Sequence, residues 1–139
     1  MKYFSVEELT RSKIASKYGI DNTPSPQARQ RLSDLIDRLL DPVREVWGKP
    51  IVVNSGYRCP ELNRHKEIKG SPTSQHMSGE AADITTGSRE DNRRLFDLIR
   101  GGDFDFDQLI WEKGSPEGPD WIHVSYTTQR PNRRQIKHL

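Results

Sequence analysis

The sequence predicts an α+β domain: one small, mostly antiparallel sheet with helices on one face and a polar site on the other. Three observations predict it. Ala28, Leu32, Leu35, Ile36, Leu39, Val43 and Val46 recur at helical spacing, the strongest periodic signal in the chain. Several later apolar runs are too short for helices and suit strands, giving the order helix, strand, helix, then mostly strands. Strand alternation then separates the faces. On 121–126, Ile122 and Val124 share one side and His123 the other; on 81–85, Asp83 lies opposite Ala82 and Ile84.

Taken in order, Ser5-Val6-Glu7-Glu8 has the form of a capping box and opens a short helix to about Ser16. Asp21 to Pro26 is a breaker cluster. The long helical pattern follows; Pro42 should kink or interrupt it, and Gly48 ends it. Ile51 to Asn54 is a short strand closed by Ser55-Gly56, and 60–68 fits a short helix. After a loop over 70–75, Ala81 to Thr85 is a strand and Arg89 to Arg100 a helix with Leu95, Leu98 and Ile99 inward. Asp107 to Glu112 and Trp121 to Tyr126 are two more strands, with a turn-rich loop from Gly114 to Pro119 between them. Residues 1–139 form one domain, with 1–23 as an N-terminal helical extension and 127–139 as a solvated basic tail.

Composition narrows the function classes. The net charge of +2 carries no nucleic-acid signature, although Arg130, Arg133, Arg134 and Lys137 gather at the end and could attract an anionic polymer. The single Cys59 excludes an intramolecular disulfide framework. Met1 to Glu8 lacks the apolar core of a signal peptide, and no apolar run approaches the ~18 residues of a membrane span. The expectation is a soluble monomer made in the cytoplasm, with no nucleic-acid partner and no membrane insertion.

The chemistry gathers in two clusters. Ser74 to Asp83 holds His76 and Asp83, and Asp120-Trp121-Ile122-His123 holds a second imidazole. Two imidazoles and a carboxylate are a common ligand set for a catalytic zinc that keeps a fourth position open. Fully extended, 76–83 would span ~23 Å, so the chain must turn back, and Ser78-Gly79 supplies the turn. Asp120 is a spare carboxylate, provided it sits off the strand, which the preceding Gly118-Pro119 permits. Ser55-Gly56-Tyr57-Arg58 presents an Arg suited to a carboxylate or a developing oxyanion, although pairing with a structural acid would also explain it. Trp111, Trp121 and Tyr126 either line a groove or pack in the sheet. A Cys59–His65 hydrolase is disfavoured, because only the adjacent Arg58 would activate the thiol. Asp103 to Asp107 lacks the spacing of an EF-hand loop.

Ser-Gly-Tyr-Arg at 55–58, Ser-x-His-x-x-Gly-x-Ala-x-Asp at 74–83 and Asp-x-x-His at 120–123 resemble the zinc D-Ala-D-Ala carboxypeptidase family. That group includes cell-wall L-alanyl-D-glutamate endopeptidases, with the Hedgehog signalling domain as a distant structural relative. The resemblance runs from about Pro24 to Tyr126. It implies a Hedgehog/DD-peptidase-like fold and His76, Asp83 and His123 as ligands of Zn2+. It also implies Asp120 as catalytic base and Arg58 as anchor for the substrate carboxylate or the oxyanion, with Ser74, Gln75 and Trp121 beside the substrate. The implied activity is hydrolysis of a peptidoglycan stem peptide. Exported members carry a signal peptide or a wall-binding domain; a phage or prophage lysin released through a membrane pore would need neither. The competing expectation is an inactive zinc-containing module that binds the wall or serves a phage particle.

Overall fold

A computed structural model describes residues 1–139. Its centre is a five-stranded sheet made of β1 (Val52–Ser55), β2 (Ala81–Thr85), β3 (Gln108–Glu112), β4 (Trp121–Ser125) and β5 (Gln135–His138), in the order β1-β2-β4-β3-β5. The sheet is mixed rather than mostly antiparallel, because β5 runs parallel to β3. One face packs on helices through Ala82, Ile84, Leu109, Ile122 and Val124, all in the hydrophobic core. No helix is long and apolar enough to cross a membrane.

The N-terminal segment forms two helices, α1 (Val6–Thr10) and α2 (Lys13–Tyr18), where the sequence suggested one. Ser5 caps the first by accepting from the Glu8 amide, and Ser12 caps the second by accepting from the Ala15 amide. This segment is not a loose extension. Leu9 is fully buried, and its carbonyl accepts from the Tyr57 amide at 2.7 Å. Asn22 donates to the Tyr57 carbonyl and accepts from the Cys59 amide. Both contacts hold the loop that carries Arg58. Gly56 is required there, since a Cβ would meet the Leu9 carbonyl oxygen at 2.3 Å.

The long periodic stretch is α3 (Pro26–Leu35), a π-turn over Ile36–Leu40, then α4 (Asp41–Trp47). Pro42 does not break the helix. Proline has no amide hydrogen and its ring crowds the carbonyl four residues back. The chain widens by one residue just before it, and the Asp41 amide donates to the Ile36 carbonyl. Leu32, Leu35, Ile36 and Leu39 stay fully buried through the transition. Gly48, in the left-handed region, closes α4. The short α5 (Pro60–Asn63) ends earlier than the helix expected over 60–68, and α6 (Arg89–Gly101) covers β3 and β4.

The C-terminal segment is held, not frayed. Asp107, with no exposed surface, accepts from Arg130 at 2.6 and 3.0 Å and from the Arg133 guanidinium at 2.9 and 3.0 Å. It also accepts from the Arg133 amide and from Gln75. Burial pushes its carboxyl up, but the two arginines and Gln75 outweigh burial and hold it well below the usual carboxylate range. The clamp delivers the chain into β5. There Gln108 donates to Gln135 on one face, and Trp111 stacks near His138 on the other.

A fully buried ion pair broken on one side costs roughly 3–5 kcal/mol. Both arginines are about half exposed and can turn to water, so Asp107→Ala should cost about 2 kcal/mol by urea unfolding. The folded-state pKa is depressed, so the contribution is complete above the unfolded value of about 4 and is lost as pH falls through the folded value. The stability gap between wild type and Asp107→Asn should therefore be widest above about pH 5 and narrow below about pH 4.

Candidate metal centre

Asp83 and His123 are direct cross-strand partners on β2 and β4, so their side chains leave the same face of the sheet. That face is opposite the one carrying Ala82, Ile84, Ile122 and Val124. His76 reaches them from a 3₁₀ turn, Gln75–Ser78, which Ser74 caps by accepting from the His76 amide. The turn ends at Gly79, in the left-handed region, where a Cβ would meet the Ala28 carbonyl at 2.5 Å. The chain thereby reverses between His76 and β2 within a few residues.

The three side chains converge. His76 Nε2 lies 3.3 Å and His123 Nδ1 lies 3.1 Å from Asp83 Oδ1. One ligand atom from each falls within 4.8 Å of the others. Donor atoms at ~2.1 Å from a tetrahedral ion lie about 3.4 Å apart, so the spacing fits zinc. The hydrogen-bond chemistry agrees. His76 Nδ1 is 2.6 Å from the Gly56 carbonyl, which can only accept, so Nδ1 carries the hydrogen. In the neutral ring, the form that binds a metal, Nε2 would turn a lone pair toward the carboxylate oxygen, and a cation between them would relieve that contact. Burial pushes the Asp83 carboxyl up, yet His76 and His123 outweigh it and keep the group ionised, well below the usual carboxylate range.

The centre opens into a cleft of about 830 Å³. Arg58, Ser74, Gln75 and Trp121 all line it, together with the three ligand residues. The Arg58 amide donates to the His76 carbonyl, tying the anchor loop to the ligand turn. Its guanidinium contacts Ser74 Oγ at 3.5 Å, and its buried Nε has no partner. Burial pushes the guanidinium down from its usual value and Asp83 opposes that shift. Arg58 is therefore not consumed by a structural acid. Cys59 caps α5 by accepting from the Leu62 amide, and His65 packs on Tyr18. That leaves no cysteine–histidine pair.

Asp120 does not join the others. Asp120 sits in the bend just before β4, where its amide donates to the Glu112 carbonyl. There it accepts from Arg89 Nε of α6 at 2.8 Å, while Asn92 holds the Asp120 and Pro119 carbonyls. It lies off the strand, as the preceding Gly118-Pro119 permits, but its carboxylate turns to Arg89 and not to the three ligand residues. The carboxylate lining the cleft is instead Glu112 of β3, cross-strand partner of Trp121. Burial pushes its carboxyl up, Asp83 adds to the shift, and His123 and Lys113 oppose it. Alternation along Gln108, Ile110 and Glu112 gives these residues one face. Only the pairing of β3 with β4 shows that it is the face of His123.

The family model described as Peptidase M15 matches residues 2–125 of the 139-residue chain. None of the curated proteins matches it.

Asp83→Ala removes the oxygen on which both imidazoles converge. The purified variant should bind zinc at least ~10-fold more weakly than wild type in a chelator competition. Added zinc should raise the Tm of wild type but not of the variant. Equal zinc affinity in the two proteins would remove the ligand assignment.

Proposed function

Because the chain belongs to the Peptidase M15 family of zinc peptidases, we propose that it hydrolyses a peptide bond in peptidoglycan stem peptides. The bond is of the D-Ala-D-Ala carboxypeptidase or L-Ala-D-Glu endopeptidase type. One observation carries the reading: the His76–Asp83–His123 centre opens into a cleft that also holds a carboxylate, Glu112, and a guanidinium with uncommitted donors, Arg58. A purely structural zinc is usually enclosed by four protein ligands. Here three residues converge beside an open groove, which favours catalysis over the inactive wall-binding module.

Zinc held by His76, Asp83 and His123 would supply Lewis acidity and bring the pKa of water to about 7. The protein residues do the rest. Glu112, partly withdrawn from solvent, accepts the proton of the attacking water and passes it to the leaving amine. Arg58 directs its free donors at the substrate, to a carboxylate or to the oxygen that gains negative charge. Ser74 and Gln75 flank the ligand turn, and Trp121 offers an aromatic wall. Gln75 is fixed by its bond to Asp107, so the C-terminal clamp also steadies this wall. The wall peptide as partner, the monomeric state and lysin-type release from the cytoplasm form part of the same proposal.

The two carboxylates separate cleanly by mutation. Glu112→Gln should lower kcat on a muropeptide by about 10²–10⁴-fold while zinc content stays stoichiometric. Asp120→Asn should lose its contact with Arg89 and keep kcat within about threefold, since exposed ion pairs are worth about 1 kcal/mol or less. The opposite ranking would return the base role to Asp120. Mass spectrometry of digested peptidoglycan identifies the bond through released D-alanine or a new D-glutamate amine.

A further inference from the structure

The C-terminal strand builds a wall of the cleft that the peptidase reading leaves unused. In register, Ser55, Asp83, His123, Ile110 and Lys137 form one row across all five strands. Parallel pairing of Ile110 with Lys137 puts Lys137 on the metal face. The Gln108–Gln135 hydrogen bond two residues earlier lies on that same face. Arg58 follows Ser55 at the β1 end of the row, and Lys137 stands exposed at the β5 end. With strands ~4.8 Å apart, Lys137 is rooted about 10 Å from His123 on the side away from Arg58.

Charge follows the same axis. Six Lys and Arg side chains line the cleft against two carboxylates, Asp83 and Glu112. Even with buried Asp107 beneath it, the cleft holds a larger positive surplus than the whole chain, whose net charge is +2. Asp107 engages both Arg130 and Arg133, so one carboxylate is shared between two cations. No salt bridge occupies Lys137. A cationic groove with low-dielectric walls concentrates anions.

We propose that the cleft takes an acidic peptide laid across the strands, with one carboxylate at Arg58 and a second at Lys137 on the far side of the metal centre. This rests on the peptidase reading and adds the charge pattern of its substrate. At ~3.4 Å per extended residue, the second carboxylate lies about three residues from the centre.

The test uses zinc-loaded, full-length Glu112→Gln protein, in which turnover is blocked, and an acidic tetrapeptide with two free carboxylates. The comparison peptide has the distal carboxylate amidated. Calorimetry at low salt should show about fivefold tighter binding of the diacid, as expected for one exposed ion pair. Adding Lys137→Glu should remove that preference, as should ~1 M salt, where the Debye length is ~3 Å. Equal binding of the two peptides, or a preference that survives Lys137→Glu, overturns the proposal. So does a preference that survives while Lys137→Glu abolishes sedimentation with a peptide-free phosphate polymer of the wall, because the strand would then be a polymer contact. Wild-type turnover is measured separately. Hydrolysis without a Lys137-dependent preference removes only this proposal, whereas the preference without hydrolysis removes the peptidase reading and leaves this one standing.

Discussion

The pairing of Asp83 with His123 across β2 and β4 is the constraint on which the rest of the site is built. Two side chains opposite each other in an antiparallel pair have Cβ atoms only about 5 Å apart. A carboxylate and an imidazole placed there meet without any help from a loop. Both strands sit inside the sheet, with neighbours on each side. Their backbone is therefore fixed by ladder bonds, and their opposite faces are fixed by the core. The third ligand needs only one further device, a capped turn that brings His76 over the pair and locks its ring on the Gly56 carbonyl.

That carbonyl links the centre to the substrate anchor. Gly56 lies against Leu9 so closely that no side chain fits, and Arg58 is bonded through its amide to His76. The N-terminal helices, the anchor loop and the ligand turn are therefore joined directly to one another. On the other side, buried Asp107 joins Gln75, Arg130 and Arg133. A carboxylate in the interior is costly unless its oxygens are saturated; here four groups saturate it, and in doing so hold the last strand against the sheet. The cleft is thus framed by two polar tethers, one to each end of the chain.

Much of this was legible in the residues. The helices and strands expected between Ala28 and Tyr126 each have a counterpart, with most ends shifted by a few positions. His76, Asp83 and His123 are residue types suited to zinc, their grouping rested on the surrounding motifs and the family resemblance, and they do meet. The departures from expectation have a common cause. Asp120 and Glu112 are both acids at strand ends, and choosing between them needs the register of β3 on β4, which no local pattern encodes. The last strand, rich in charge, looks like a solvated tail until Asp107 and the edge of β3 are in place. Pro42, expected to kink or interrupt the helix, is accommodated by a π-turn, with buried Leu39 and Leu40 before it and buried Val43 after it.

The sequence by itself determined which residues could carry the chemistry and which faces they leave, because periodicity follows from backbone geometry alone. Helix caps and glycine turns belong to the same class, since each acts within a few residues. Tertiary structure alone decided which carboxylate looks into the cleft, that Arg58 keeps donors free, and that the C-terminal segment is a wall and not a tail. Those outcomes depend on strand register and on contacts between residues far apart in the chain, and the free energy that selects them exists only once the sheet has closed.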